Sequence, residues 1–132
     1  MKKNGILNSD ISKVLSDMGH TDKICICDCG LPIARDIEKI DLALELGVPS
    51  FQDVLKVVSE DMKVEKIILA KEIKDNNKNQ LNLILDRFDK QVEIEFVSHE
   101  DFKKISNSTK AVIRTGEATP YSNIILQSGV IF

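Results

Sequence analysis

Residues 18–33, "MGHTDKICICDCGLPI", gather most of the side chains in this sequence that are capable of chemistry: His20, Asp28, and the cysteines Cys25, Cys27 and Cys29. Thiols at alternate positions of a strand share one face, about 6.6 Å apart from the strand rise. A zinc tetrahedron with bonds of about 2.3 Å asks for closer sulfurs, and a structural zinc site asks for a second ligand pair. The sequence offers no second pair and no redox CxxC spacing. The cysteines are therefore expected to act as small buried hydrophobes.

Asp28 ends the apolar face formed by Ile24 and Ile26, where Gly30 and Pro32 take the chain out of the strand. In open α/β sheets, the crevice beyond the carboxyl ends of strands is where ligands bind. Capping of the following turn is the alternative role for such an aspartate. His20 follows Gly19, which is placed to end a preceding helix. A histidine there can serve as an acid–base group or can complement the helix dipole. His20 and Asp28 flank one strand at opposite ends, so they meet only if subunits share a site or a loop folds over.

Other candidates lie downstream. His99 follows a capping Ser98, and a neutral imidazole there can both donate to and accept from a hydroxyl, or can simply be an exposed first-turn residue. Tyr121 is the only tyrosine and follows Pro120 on a loop, where it either packs at a turn or contacts a ligand. Asn123 offers an amide donor and a carbonyl acceptor for neighbouring hydroxyls.

The elements that position these residues alternate. "NSD" caps a helix carrying Ile11, Val14, Leu15 and Met18, and "KICICD" reads as a strand. Ile40, Leu42 and Leu44 alternate in a possible further strand. Ser50 with Asp53 predicts a capped helix bearing Val54, Leu55, Val57 and Val58. "VEKIILA" and "VEIEFV" are strands around a helix with Leu81, Ile84, Leu85 and Phe88 on one stripe. Ser98 caps a short helix in "SHEDFKKIS", and "KAVIRTG" and "NIILQSGVIF" are closing strands joined by "EATPYS". This order predicts a single three-layer α/β domain over 1–132, with a mixed sheet and helices on both faces. The two closing strands and their short connection predict that part of the sheet is antiparallel.

Composition narrows the partners. The 132 residues carry a net charge of −3, with 42% hydrophobic and 30% charged side chains. This is an ordinary globular balance without the basic footprint of a nucleic-acid binder. No apolar run approaches the roughly 20 residues of a membrane span, and "MKKNGILNSD" lacks a secretory core. A cytoplasmic protein with reduced thiols is expected.

"GILNSDISKVLSDMGHTDKICICDCGLPI" and "RTGEATPYSNIILQSGVIF" resemble the two ends of the D-ribose pyranase (ribose mutarotase) family. The related L-fucose mutarotases share the Gly-His start and the Tyr-x-Asn-Ile finish, but "DCGLP" and "GEATPYSN" match the ribose branch better. The stretch from 60 to 95 adds little that is specific. The resemblance implies that His20 is the catalytic acid and that Asp28, His99, Tyr121, Ser122 and Asn123 bind the sugar. Ser122 stands where relatives often have alanine. It further implies D-ribose as substrate, no cofactor and no metal. Cytoplasmic homo-oligomeric rings are also implied, pentamers or stacked decamers, with the site at a subunit boundary. An anomer-interconverting enzyme of the fucose type and a non-catalytic sugar-binding accessory protein are the alternatives. The chemistry fits the residue types: opening a hemiacetal needs a proton delivered to the ring oxygen and one removed from the anomeric hydroxyl.

Overall fold

The computed structural model describes the whole chain, Met1–Phe132. Its elements run α1 (Ser9–Asp17), β1 (Lys23–Cys27), β2 (Lys39–Asp41), α2 (Phe51–Asp61), β3 (Val64–Ala70), α3 (Ile73–Asn76), α4 (Lys78–Arg87), β4 (Glu93–Val97), α5 (His99–Ser106), β5 (Val112–Arg114) and β6 (Ile124–Ser128). One six-stranded sheet has the order β2-β5-β1-β6-β3-β4. β5 lies parallel to β1 and β2, β3 lies parallel to β4, and β6 runs antiparallel to both β1 and β3.

Alternation along β1 splits the core in two. Ile24 and Ile26 join the larger cluster, under Ile11 and Val14 of α1, Phe51, Val54, Leu55 and Val58 of α2, and Ile84 of α4. Cys25 and Cys27 point to the opposite face, into a smaller cluster with Phe102 of α5 and Leu31. Both faces of the sheet are thus covered, as the continuous apolar strands required. Burial pushes the Cys27 thiol up to about 12, with the nearby Asp28 carboxylate adding to the effect, so it stays protonated and inert. Cys29 lies beyond the strand and is half-buried.

Local cap chemistry explains most helix starts. Ser50 Oγ accepts from the Asp53 N–H while the Asp53 carboxylate accepts from Ser50, a reciprocal capping box. Ser98 Oγ accepts from the Asp101 N–H at α5. At α1 the cap is Asn8, whose side chain accepts from the Ile11 N–H.

Three expectations need correction. Gly19 does not terminate α1: the helix stops at Asp17, Met18 is extended, and the positive φ falls on Thr21 (70°). Gly19 instead donates its N–H to the Asp22 carboxylate at 2.9 Å, which ties the turn leading to β1. The β2 strand is shorter than the Ile40–Leu42–Leu44 alternation suggested, and Leu44 is 80% exposed. Finally, part of the sheet is antiparallel as expected, on both sides of β6, but β5 and β6 form no hairpin because β1 lies between them. Their connection is too long for a tight hairpin turn and instead straddles the carboxyl end of β1. Thr115 anchors it there, donating to the Cys27 carbonyl from its N–H (3.0 Å) and its hydroxyl (2.8 Å), while Cys29 N–H donates to Glu117 O (2.9 Å).

Candidate active site

That straddling connection assembles one group of side chains. Asn123, almost fully buried, grips Asp28 twice: its Oδ1 accepts from the Asp28 N–H at 2.9 Å and its Nδ2 donates to Asp28 Oδ2 at 3.1 Å. Asp28 Oδ1 accepts from the Gly30 N–H at 2.9 Å, so the aspartate does cap its own turn. A carboxylate offers about four lone-pair sites, and the capping role leaves capacity for a ligand hydroxyl.

Tyr121 enters the group through backbone strain, with φ of 56°. Such a conformation in a bulky non-glycine residue is an outlier that the surroundings must enforce. The enforcement is visible at its neighbour Ser122. This buried hydroxyl lies within hydrogen-bond distance of Gln80 Nε2 (3.0 Å), Asn77 Nδ2 (3.3 Å) and Thr119 Oγ1 (2.7 Å). Asn77 also donates to the Pro120 carbonyl at 2.9 Å. The side chain of Ser122 is therefore turned into the protein and fixes the loop. Glycine at 116 is required for the same loop, since a side chain there would run into the carbonyls of Glu45 and Val48.

Tyr121 meets His99 edge to face, ring centroids 5.2 Å apart. His99 is held from below by Glu72, whose two carboxylate oxygens accept from the His99 N–H at 3.1 and 3.0 Å. Burial raises the Glu72 carboxyl, but this hydrogen bond helps to outweigh it and holds the group below its ordinary range. His99 Nδ1 is buried without a protein partner. An orphaned buried ring nitrogen is costly, and a ligand hydroxyl is one group that relieves it.

His20 is elsewhere. It sits before the amino end of β1, and its Nε2 contacts Glu65 Oε2 at 2.9 Å. β1 has five residues, about 16 Å of chain at the strand rise of ~3.3 Å. No loop brings His20 to Asp28. The chain thus assembles Asp28, His99, Tyr121 and Asn123 at one end of β1, with Ser122 behind them, and leaves His20 at the other. Glu65, Gln127, Glu72, Asn77 and Gln80 were not singled out from the sequence, where they are ordinary polar letters on strands and helices.

Two clefts are lined by neither group. One of about 370 Å³ runs between the Gly5–Ile11 segment and α2, and another of about 360 Å³ is lined by Leu31, Arg35 and Arg114. Neither contains Asp28, His99 or Asn123. No three His, Cys, Asp or Glu side chains converge as a cation site. No helix is long and apolar enough to cross a membrane.

Comparison with known proteins fits this picture. The chain is 61% identical over 130 residues to a D-ribose pyranase of Streptococcus uberis, covering 98% of each. Its structure superposes on that of Bacillus subtilis RbsD complexed with D-ribose with a TM-score of 0.96 and 55% identity, covering 100% of both chains. The fucose mutarotase of Streptococcus pneumoniae, in complex with L-fucose, shares the fold alone, at a TM-score of 0.75 and 23% identity over 96% of this chain and 95% of that one. The sequence pattern described as the RbsD / FucU transport protein family matches residues 1–131, and the chain belongs to that family.

Proposed function

We propose that this protein is a D-ribose pyranase, an isomerase that opens and recloses the hemiacetal ring of D-ribose so that its pyranose and furanose forms, and their anomers, interconvert. The observation that carries this reading is the convergence of Asp28, Asn123, Tyr121 and His99 in a chain 55% identical to a protein complexed with D-ribose. The greater distance to the fucose mutarotase supports the ribose branch.

The mechanism follows from the hemiacetal. His20, as imidazolium, delivers a proton to the ring oxygen while a base takes the proton of the anomeric hydroxyl. The base is Asp28, His99 or a water held between them. The bond between the anomeric carbon and the ring oxygen breaks and leaves the open aldehyde. Reclosure through another hydroxyl changes ring size, and reclosure on the other face changes the anomer. Only proton transfers and one C–O bond are involved, so no electron carrier is needed. Positioned acid–base groups of this kind contribute about 10²–10⁴-fold. Asp28 and Asn123 hold vicinal hydroxyls, Tyr121 covers the sugar, and Ser122 positions both neighbours.

The separation of His20 from Asp28 supports a homo-oligomer, a pentameric ring or a stacked decamer, in which a neighbouring copy's His20 completes each site. Exposed apolar side chains accompany both halves. Leu44 (80%) and Leu46 (82%) project from the loop packed on Gly116, and Ile131 (87%) and Phe132 lie in the cleft beside Met18 and Gly19. Exposed apolar patches of this kind mark association surfaces. The cytoplasm is the setting that agrees with free thiols.

Saturation-transfer NMR between the ribose anomeric protons, with and without protein, tests the activity, and light scattering tests the assembly. Exchange among ribose forms should accelerate. Unchanged ribose exchange overturns the reading, acceleration of fucose alone moves the chain to the other branch, and binding without acceleration makes it an accessory sugar-binding protein.

A further inference from the structure

Around His20, three observations coincide. First, the β3–β6 register slips at Glu65: Val64 faces Ser128 and Lys66 faces Gln127, which leaves Glu65 as the extra residue of a bulge. A bulge re-aims the side chain it carries, and bulges concentrate beside active sites. Second, the re-aimed carboxylate is held at both oxygens: Oε1 accepts from Gln127 Nε2 at 2.7 Å and Oε2 contacts His20 Nε2 at 2.9 Å. Third, the backbone is shaped to allow it. A Cβ on Gly129 would come within 3.0 Å of Glu65 Cβ and 3.4 Å of its Oε2. Thr21, beside His20, sits at φ 70°, an outlier for a β-branched residue, pinned by its N–H to the Ser128 carbonyl at 2.9 Å.

From this geometry we infer that Glu65 is a positioning residue for His20, binding Nε2 through its carboxylate so that Nδ1 is the atom that passes the proton to the sugar ring oxygen. The inference rests on the proposed role of His20 as acid. Which ring nitrogen carries the neutral form's proton is set by the hydrogen bond of the other nitrogen. Glu65 is ionised and accepts only, so Nε2 keeps its proton before and after transfer. Nδ1 is then protonated in the imidazolium, gives that proton to the ring oxygen, and recovers it when a hydroxyl closes the ring. Gln127 stands one step further back: its amide orients the carboxylate so that one oxygen is left for His20. The His20 side chain is 53% exposed and Glu65 33%, which leaves the imidazole reachable from solvent or from an adjoining subunit while Nε2 is occupied.

The test uses the intact assembly with Glu65→Gln, which keeps size and removes charge, and reads two signals. Long-range ¹H–¹⁵N correlation of the His20 ring in the unaltered protein should show the Nε2–H tautomer of the neutral form, and this preference should weaken in Glu65→Gln. Ribose exchange in Glu65→Gln should fall about 10- to 30-fold with the ribose concentration at half-saturation within about twofold, as expected for a misoriented acid. A fold-disrupting change would instead dissociate the oligomer and broaden the melting transition, beyond the small fall in melting temperature that loss of the Glu65 carboxylate brings, and Gln127→Ala, with a smaller loss of rate and the same tautomer shift, separates the two cases. A neutral His20 with its proton on Nδ1 would overturn the inference. So would exchange within twofold of the unaltered protein in Glu65→Gln while His20→Ala abolishes it. If the unaltered protein does not accelerate ribose exchange at all, the proposed function and the role of His20 as acid both fall, and the tautomer still decides whether Glu65 orders the ring.

Discussion

At the carboxyl end of β1, Asp28 is held by a buried amide and Tyr121 by a loop whose buried Ser122 hydroxyl is bonded to Gln80; at the amino end, His20 is an exposed side chain held at one nitrogen by one carboxylate. Both ends contain a non-glycine residue with positive φ, Tyr121 (56°) in one and Thr21 (70°) in the other. The strain is shared, but the means of holding differ. In the proposed function, gripping a sugar with several hydroxyls needs donors and acceptors fixed to fractions of an ångström, and a network of side chains bonded to one another inside the protein does that. Delivering a proton needs a group that can exchange protons with water and reach into a site completed by another surface. An exposed imidazole steadied by a charge-assisted bond meets both needs.

The sharpest way to break this contrast is to remove the imidazole. His20→Ala should lower ribose exchange by about 10²–10⁴-fold while saturation by ribose, followed by ligand-observed NMR, stays near that of the unaltered protein. Loss of binding with loss of rate would mean that His20 grips the sugar, and the two ends would no longer have separate tasks.

Removal of the amide at the other end should show the reverse pattern. Asn123→Ala leaves the Asp28 N–H and one carboxylate oxygen without partners in a half-buried setting, a loss of about 1 kcal/mol in stability. Chemical denaturation would measure it, and ribose affinity should weaken more than the saturated rate. An unchanged denaturation midpoint would show that water replaces the amide freely and that this end is not rigid.

The contrast was only partly legible in the sequence. Strands and caps were, because their causes are local: Ser50 with Asp53 and Ser98 with Asp101 lie three residues apart and bond accordingly. The covering of both sheet faces followed from the doubly apolar run around Cys25 and Cys27. The place of β1 between β5 and β6 was not legible, since a short connection reads as a hairpin until something is known to lie beneath it. Gly19 misled in a similar way. Glycine is the usual residue for a left-handed helix end, but the pairing of Thr21 with Ser128 moved the left-handed turn to a threonine. The pairs that define the two ends join residues 95 apart (Asp28 and Asn123) and 45 apart (His20 and Glu65), beyond any periodicity. Family resemblance carried His20, Asp28, His99, Tyr121, Ser122 and Asn123 to the candidate list. It did not indicate that Ser122 points inward or that Glu65 stands behind His20.

A smaller effect is the acidity of one carboxylate at each end. Hydrogen bonds from Gln127 and then His20 hold the Glu65 carboxyl below its ordinary 4.5, and Glu72, under His99, is also held below that value. A carboxyl whose folded value is depressed stabilises the fold fully above its unfolded value and loses that contribution as pH falls through the folded one. Melting temperature should therefore decline as pH drops below about 4.5, and part of the decline should belong to each carboxylate. In Glu65→Gln that carboxyl is gone, so the profile should be shallower while the Glu72 share persists. High salt should flatten the Glu65 share more, because that pair is exposed and screened. Equal slopes with and without Glu65 would show that its bond to His20 contributes nothing to the folded state, and the amino end of β1 would then be held by the Thr21–Ser128 backbone bond and the Asp22 carboxylate instead.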